Sequence, residues 1–236
     1  MKAVILAGGL GTRMGRETAS RPKPLVEVGG HPILWHILKS YQAQGIVDFV
    51  VCTGYAGHLI AEYMKRARSE GWHAEVVDTG ETTATGGRLR RVRDRLGDDT
   101  FCMTYGDGVS DVNIAEVVAL HARQRALVTV TTVQPRLPFG LVTLADDGER
   151  VTEFKEKPRL EGMWVNAGFF VMEPRSLDYV TSDDEPWEGQ PMTRLAHDGQ
   201  LAAYKHGGFW QCMDAPRDRE CLERLWRHGG APWKVW

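Results

Sequence analysis

Glycines and cations follow directly after the first apolar run of this chain. In KAVILAGGLGTR, the run leads into Gly8, Gly9 and Gly11, and Arg13 and Lys23 come soon after. Glycine has no Cβ, so the backbone there can take positive φ and approach a ligand closely. Arginine and lysine make charge-assisted hydrogen bonds to phosphate oxygens. The segment therefore predicts a loop that binds a polyphosphate; a glycine-rich turn with solvated arginines is the alternative.

The spacing of these glycines matches neither common nucleotide fingerprint. A GxGxxG loop would need a glycine at position 14, where this chain has Met14, and no glycine here is followed by the GK[ST] of a P-loop. This mismatch, with no evident acidic ribose contact, disfavours a Rossmann dehydrogenase.

Two aspartates follow strand-like runs and are candidate metal ligands. Asp107 lies in TYGDG and Asp214 in FWQCMDAPRD. Magnesium prefers oxygen ligands and is usually bound by one or two carboxylates together with phosphates and water. An ordinary Gly-Asp-Gly turn is the alternative for Asp107. For Asp214 the alternative is a helix N-cap or Asx-turn, which the local sequence alone favours.

Polar residues also mark the ends of two later strands. FKEKP contains Glu156 and Lys157, and Pro158 ends that strand and can turn both side chains toward a cleft. A surface ion pair is the alternative. Asn166 lies inside the apolar run WVNAGFF and needs a hydrogen-bond partner if it is buried, which a neighbouring strand could supply.

Strand-like and helix-like runs alternate through the first half of the chain, which predicts an α/β fold. Short Gly or Asp punctuation between them favours right-handed crossovers, hence a Rossmann-like, mostly parallel sheet with helices on both faces. The predicted strands are KAVILA, VDFVVCTG, HAEVVD, TFCMTYGDG and ALVTVTTVQ, and the predicted helices are PILWHILKSYQAQ, HLIAEYMKRAR, GRLRRVRDRL and NIAEVVALHARQR.

The pattern changes after Pro138, where we expect the sheet to become mixed. The runs GLVTLA and RVTEFKEKP are separated by a hairpin signal, and WVNAGFFVM, LAAYKH and a terminal helix, APRDRECLERLWRHG, follow. No linker or repeat interrupts the chain. We therefore predict one domain, 1–236, in two parts with different roles, 1–137 and 138–236.

Composition excludes several classes of function. Twenty-nine basic and thirty-one acidic residues give a net charge of -2, so no global field holds nucleic acid or an anionic membrane. No run is long enough for a signal peptide or a membrane span. The four cysteines form no CxxC pair and predict reduced thiols in a soluble, cytoplasmic protein: Cys52, Cys102, Cys212 and Cys221.

The segments LAGGLGTRMGRET and RPKPLVEVGGHPIL together resemble the amino-terminal signature of the sugar nucleotidylyltransferases. These enzymes join a nucleoside triphosphate to a sugar 1-phosphate and release pyrophosphate. The resemblance implies a nucleotidyltransferase fold of the GT-A-like type. It also implies that Lys23 neutralises the triphosphate and that the following residues contact the nucleotide: Leu6, Ala7, Gly8, Gly9, Gly11, Thr12, Arg13, Thr83, Arg88 and Gly106.

The same resemblance assigns the metal and sugar contacts. Family members hold Mg²⁺ with aspartates that match Asp107 and Asp214. It implies that Glu156 contacts sugar hydroxyls and Lys157 the sugar phosphate, and that Asn166 lies near the sugar, although NAG stands here where the family commonly has NGG.

Stretches such as DTGETTATGGRLRRV and YKHGGFWQCMDAPRDRECLERLW resemble the cytidylyltransferase branch, which uses CTP and glucose 1-phosphate to make CDP-glucose. In that branch the TxTGGR segment helps to hold the nucleotide. The chain departs from the pattern in MDAPRD, where MDTLRD is usual, and in a segment between Glu62 and Asp78 that we predict to be shortened. Residue chemistry alone leaves UTP, dTTP or GTP, and another sugar 1-phosphate, as alternatives.

The expected reaction is in-line attack of a sugar 1-phosphate oxygen on the α-phosphorus, which needs positioning and charge stabilisation rather than a nucleophilic side chain. On this view Arg13, Lys23 and Asp107 are catalytic. A non-catalytic nucleotide or sugar-nucleotide binding module is the alternative from another class, and an interaction protein comes third. The tryptophan-containing tail APWKVW predicts a subunit contact, hence a homo-oligomer.

Overall fold

The strands of the protein form one large sheet and three short two-stranded pairs in a computed structural model that describes residues 1–135, 137, 139–158 and 162–236, without the side chain of Arg16. The strands are β1 (Lys2–Leu6), β2 (Glu27–Val28), β3 (His31–Pro32), β4 (Asp48–Thr53), β5 (His73–Asp78), β6 (Phe101–Tyr105), β7 (Gly108–Ser110), β8 (Val128–Val133), β9 (Leu141–Leu144), β10 (Val151–Lys155), β11 (Val165–Met172), β12 (Leu201–Lys205) and β13 (Trp210–Cys212).

The seven-stranded sheet has the order β12-β8-β11-β6-β1-β4-β5. β1 pairs in parallel with both β4 and β6, and β12 pairs in parallel with β8. β11 is antiparallel to both of its neighbours, β6 and β8. The sheet is therefore mostly parallel and mixed, as predicted, although the antiparallel strand lies inside the sheet.

Helices cover both faces of this sheet. They are α1 (Ile33–Gln42), α2 (Gly57–Arg66), α3 (Thr85–Arg91), α4 (Ile114–Gln124), α5 (Gln190–His197) and α6 (Pro216–Arg227). α1, α2, α4 and α6 bury side chains in one apolar cluster with Ala3 and Ile5 of β1. α3 and α5 pack in a second cluster with Val4 and Leu6, which point to the opposite face. Because both faces are covered, β1 reads as a continuous apolar run.

Two elements differ from the sequence prediction. The predicted helix GRLRRVRDRL is divided into α3 and a 3₁₀ turn, Arg93–Arg95. The sequence did not predict α5. Its eight residues lie in a segment rich in Pro, Gly and acidic residues, where the helical spacing of its few apolar residues is hard to recognise. The predicted change of role at Pro138 falls on a residue outside the described part of the chain.

Three pairs of strands lie outside the main sheet. β9 and β10 form the predicted antiparallel hairpin, whose residues are exposed. β2 pairs with β3, and β7 pairs with β13 in an antiparallel ribbon that positions the candidate site. Within the described residues, no helix has the length and apolar character needed to cross a membrane.

Candidate active site

The β7–β13 ribbon brings together two aspartates that are far apart in sequence. Asp107 immediately precedes β7, and Asp214 follows β13 by two residues. Gly108 is paired with Cys212, and the backbone N–H of Met213 donates to the carbonyl oxygen of Asp107 at 2.8 Å. The two candidate metal ligands therefore lie side by side, at the carboxyl end of β6.

The ammonium group of Lys23 lies between these two carboxylates. Its Nζ is 2.6 Å from Asp107 Oδ2 and 2.7 Å from Asp214 Oδ1. The Lys23 side chain is only 10% exposed. Lys23 follows Pro22 and is the first residue of the 3₁₀ turn Lys23–Leu25. The turn aims a buried cation at two carboxylates, which is the strongest cluster of charges among the predicted site residues.

These contacts fix the charged state of the cluster. Burial by itself would lower the pKa of Lys23, but the charges and hydrogen bonds of Asp107 and Asp214 outweigh burial and raise it above its ordinary value. Burial likewise raises the pKa of Asp214, but Lys23 and Arg13 outweigh it and lower that pKa below its ordinary value. Lys23 is therefore protonated and Asp214 ionised at neutral pH.

Arg13 approaches the same cluster from the glycine loop. Its Nη1 is 3.2 Å from Asp214 Oδ2, and its side chain is 75% exposed. Gly11 has φ of +64°, which favours glycine, and its carbonyl accepts a hydrogen bond from the Thr18 hydroxyl at 3.0 Å. Thr12 is exposed and begins the 3₁₀ segment Thr12–Thr18. The loop thus carries a solvent-accessible guanidinium at the edge of the cluster.

Arg88 is buried beneath this loop. Its guanidinium donates to the carbonyl oxygens of Thr53 (2.8 Å), Gly80 (2.7 Å), Gly8 (3.0 Å) and Glu81 (3.2 Å), and to the Thr79 hydroxyl (2.8 Å). None of these acceptors is a carboxylate, and burial lowers the pKa of Arg88 below its ordinary value. Arg88 therefore supports the backbone under the candidate nucleotide site; direct contact with the nucleotide stays a prediction.

Gly8, Gly9 and Gly11 of the loop each lack a side chain for a different structural reason. A Cβ on Gly8 would lie 2.2 Å from Arg88 Nη1, whereas a Cβ on Gly9 would meet nothing within 4 Å. Of Gly8, Gly9 and Gly11, only Gly11 has a positive φ. The freedom of φ that we expected for all three is used at one position, while Gly8 makes room for the arginine and Gly9 is open to a ligand.

Four further candidates line the same end of the sheet. Leu6 accepts a hydrogen bond from the N–H of Gly106 at 2.9 Å, and Ala7 donates its N–H to the carbonyl oxygen of Cys52 at 2.8 Å. Thr83 is buried just before α3. These contacts place the predicted nucleotide residues at the carboxyl ends of β1, β4 and β6, where ligands bind in open α/β sheets.

The predicted sugar contacts lie beside the hairpin and β11. Glu156 and Lys157 follow β10 directly, are exposed, and pair with each other at 3.5 Å between Lys157 Nζ and Glu156 Oε1. Lys157 has φ of +47°, an uncommon value for a lysine. Asn166 is exposed; its Oδ1 accepts a hydrogen bond from the N–H of Gly168 at 2.7 Å, and its side chain also hydrogen-bonds to Tyr105 on the neighbouring strand β6. Within the part of the chain that the structure describes, no ion pair joins Glu156 or Lys157 to the Lys23 cluster.

Trp210 connects the two groups, and the sequence did not identify it. Its indole Nε1 donates to the carbonyl oxygen of Ala167 at 2.6 Å, next to Asn166, while its backbone belongs to β13. A cavity of about 760 Å³ lies beside it, lined also by Gln134, Phe209 and Gln211. This volume suits a small-molecule site. No local signal in FWQC distinguishes such a tryptophan from a core residue.

Asp218 is a second residue that was missed. Its Oδ2 accepts hydrogen bonds from the N–H groups of Asp214 (3.0 Å) and Ala215 (2.8 Å) at the start of α6. The N-cap position of α6 is Ala215 rather than Asp214, and Asp218, at the third helical position, makes the reciprocal contact of a capping box. The acidic residue three positions inside the helix in DAPRD was the available signal.

The arrangement suits a divalent cation held only partly by protein. Two carboxylates already share one cation, the ammonium of Lys23. No group of three or more His, Cys, Asp or Glu side chains suitable for a metal occurs among the residues that the structure describes. A hard cation that takes its remaining ligands from phosphates and water fits this donor set better than a closed structural metal does.

Comparison with known proteins finds relatives that match the whole chain. The chain is 44% identical to the glucose-1-phosphate cytidylyltransferases of Salmonella typhi and of Salmonella typhimurium, in alignments of 258 positions that cover 100% of each chain. Because this chain has 236 residues, those alignments contain positions where the relatives have a residue and this chain has none. The location of the shortened segment, between Glu62 and Asp78, stays a prediction.

A solved structure shows the fold, and a family model shows the family. The crystal structure of HddC from Yersinia pseudotuberculosis has a TM-score of 0.77 and 18% identity, and the match covers 95% of this chain and 99% of that one. This similarity shows the shared fold. The model of the nucleotidyl transferase family matches residues 2–211. This chain therefore belongs to the nucleotidyl transferase family.

Proposed function

We propose that this protein transfers the cytidylyl group of CTP to α-D-glucose 1-phosphate, giving CDP-glucose and pyrophosphate. The full-length similarity to two glucose-1-phosphate cytidylyltransferases supports the choice of substrates. The observation that carries the chemistry is the convergence of Lys23, Asp107 and Asp214, with Arg13 beside them, at the carboxyl end of the parallel strands. A passive binding site has no need of this set of charges.

In the proposed reaction, a phosphate oxygen of the sugar 1-phosphate attacks the α-phosphorus of CTP in line. The bond from the α-phosphorus to the bridging oxygen breaks, and pyrophosphate leaves with that electron pair. Arg13 and Lys23 stabilise the charge on the leaving pyrophosphate, and Lys157 positions the attacking phosphate. Glu156 and Asn166 bind sugar hydroxyls. The attacking oxygen is already anionic, so no strong general base is required.

Asp107 and Asp214 are the residues that would hold a divalent metal ion, which we propose to be Mg²⁺. When bound, this ion would orient the α-phosphate and withdraw charge from it. The predicted halves fit the same scheme: residues 1–137 bind the nucleotide and residues 138–236 the sugar. We place the reaction in the cytoplasm; four free cysteines, two of them buried, support a reducing compartment.

The test is pyrophosphate release by purified protein in the presence of Mg²⁺, with CTP, UTP, dTTP, ATP and GTP each offered with glucose 1-phosphate. We expect release with CTP well above the others. Release with another nucleotide would keep the reaction class and reject the cytidylyl assignment. CTP binding without release, with glucose 1-phosphate and with a panel of other sugar 1-phosphates, would favour the non-catalytic binding module.

We also propose that the protein is a homo-oligomer. The APWKVW tail does not support the expected subunit contact, because Trp233 is fully buried in its own chain against His36, Phe209 and Trp226. The β9–β10 hairpin supports an oligomer instead, since its Phe154 is 63% exposed and is paired with the exposed Val142. An isolated two-stranded hairpin with such a face is stabilised by a partner.

Sedimentation velocity tests this assembly. We expect wild-type protein to sediment as an oligomer, and Phe154→Ser to shift it toward monomer. Thr143→Ser, on the opposite face of the hairpin, is the matched control. A wild-type protein that is monomeric at all concentrations would contradict the proposal.

A further inference from the structure

Lys23 acts as the counter-ion of the two candidate metal ligands. Its ammonium group makes short contacts with one oxygen of Asp107 and one of Asp214, at 2.6 Å and 2.7 Å. Both carboxylates are largely screened from water, with side chains 28% and 32% exposed. A lysine that satisfies two such charges occupies the electrostatic role that a metal cation would otherwise fill.

The stem of Lys23 packs against the glycine loop. A Cβ placed on Gly11 would lie 3.0 Å from the Cβ of Lys23, so the lysine side chain starts in contact with the loop that we assign to the triphosphate. The second cation of the cluster, Arg13, is on that loop and also contacts Asp214. Lys23 therefore has two kinds of anionic partner within reach of one side chain, the aspartates and a phosphate on the loop.

A metal ion and the ammonium of Lys23 compete for the same two carboxylates. Like charges a few ångströms apart repel strongly where water is scarce. Moving the ammonium away without a new partner would leave a buried cation unpaired, which is costly. A polyphosphate on the glycine loop supplies that partner, and the aspartates then become available to the metal.

We propose that Lys23 couples metal binding to nucleotide binding: it holds the two aspartates when the nucleotide is absent and transfers to the phosphates when the nucleotide binds. This inference rests on the proposed function, because it takes the metal and triphosphate sites as assigned there. Reciprocity requires that the metal also favour nucleotide binding by the same factor. The metal alone should therefore bind weakly to the wild-type protein.

The direct test is calorimetric binding of Mn²⁺ alone to wild-type protein and to Lys23→Met, which keeps the stem and removes the charge. We expect Lys23→Met to bind Mn²⁺ at least about tenfold more tightly, because the competing cation is gone. Lys39→Met is the matched control. Lys39 Nζ lies 3.5 Å from Glu70 Oε2, in an ion pair outside the Lys23 cluster, so this variant should bind Mn²⁺ as the wild type does. Equal or weaker binding by Lys23→Met would overturn the inference.

A double variant separates this inference from the proposed function. The gain in Mn²⁺ affinity should vanish in Lys23→Met/Asp107→Asn. If the gain persists there, the metal is bound elsewhere and the inference fails, whereas pyrophosphate release by the wild-type protein remains the independent measure of the proposed function.

A second measurement needs no variant and decides the matter if Lys23→Met does not fold. Acylation of lysines by acetic anhydride is followed by peptide mass spectrometry with and without saturating Mn²⁺. Displacement of the Lys23 ammonium by the metal should raise its acylation rate several-fold relative to Lys39. An unchanged ratio would overturn the inference.

Discussion

Met213 donates its backbone N–H to the carbonyl oxygen of Asp107 at 2.8 Å, and this hydrogen bond aligns the segment that contains Asp107 with the segment that contains Asp214. It extends the β7–β13 ribbon by one step, so the residue after Met213 is held beside Asp107. The geometry of the charge cluster is thus set by backbone pairing and not by the side chains alone. Substitutions in the cluster should therefore change chemistry more than they change the fold.

Replacement of Lys23 by alanine should lower kcat for pyrophosphate release by about a hundredfold or more, because a cation that stabilises charge in the transition state is lost. Steady-state assays with CTP and glucose 1-phosphate measure the effect, and circular dichroism checks the fold. Turnover close to that of the wild type would remove Lys23 from the catalytic group.

Asp107→Asn should abolish most metal-dependent activity while the protein stays folded, because an amide is a poor replacement for a carboxylate ligand. The assay is pyrophosphate release over a range of Mg²⁺ concentrations. Asp48→Asn, which alters an exposed pair with His73, is the control and should behave as the wild type does. Full activity of Asp107→Asn at ordinary Mg²⁺ would exclude Asp107 from the site.

Arg88→Met should destabilise the protein by about 2–4 kcal/mol, since several buried carbonyl oxygens lose their donor. The same variant should raise KM for the nucleotide, because the support under Gly8 is removed. Urea unfolding gives the first quantity and steady-state kinetics the second. Arg90→Met, an exposed neighbour on α3, should cost less than about 0.5 kcal/mol. Equal stability of the two variants would argue against a supporting role for Arg88.

Gly8→Ala and Gly9→Ala form a matched pair within the loop. The new methyl group at position 8 would clash with the Arg88 guanidinium, whereas at position 9 it meets nothing within 4 Å. We expect Gly8→Ala to cost about 1–3 kcal/mol of unfolding free energy and Gly9→Ala to leave stability near that of the wild type. Any activity loss in Gly9→Ala would then report on the open side of the loop, where a ligand is proposed. Chemical denaturation ranks the two variants, and the reverse order would reject this account.

Stability should fall in acid because of His36. The ring is fully buried: Nε2 lies 2.8 Å from the carbonyl oxygen of Val28 and Nδ1 accepts from the indole of Trp233 at 3.3 Å. Burial lowers the pKa of His36 to about 4. The unfolded chain takes up the proton first, so unfolding free energy is lost as the pH falls from about 6.5 to 4, by about 3 kcal/mol in all.

Urea unfolding between pH 7 and 4 checks this dependence. His36→Gln should be less stable than the wild type at pH 7, and the difference should shrink toward pH 4. His58→Gln, at an exposed position, should follow the wild-type curve. Parallel curves for the wild type and His36→Gln would contradict the assignment.

Periodicity in the sequence predicted most of the elements but not the order of the strands. Val4 and Ile5 point to opposite faces of β1, and the run of apolar residues indicated that both faces are buried. Periodicity does not indicate which strands become neighbours. The insertion of antiparallel β11 between β6 and β8 depends on long-range packing, so the sequence indicated a mixed sheet without locating the antiparallel strand.

The candidate site was predictable where residue type and position limit the chemistry. Asp107 lies between two glycines after β6 and Lys23 lies between two prolines at the start of a 3₁₀ turn, and the structure brings them into contact. Arg88 could not be distinguished from the surface arginines of the same helix, because its burial depends on the loops around Thr53 and Gly80. Asp214 gave the weakest local signal, since the local sequence alone favoured a helix N-cap or Asx-turn, and only the family resemblance indicated a metal ligand.

The β7–β13 ribbon also determines when the site can form during synthesis of the chain. Its two strands are separated by most of the second half of the sequence, and Asp214 emerges from the ribosome long after the glycine loop. A nascent chain that ends before β13 can complete β1, β4 and β6 but holds Lys23 with a single aspartate. The complete cluster of Lys23, Asp107 and Asp214 is therefore expected to form only late in translation.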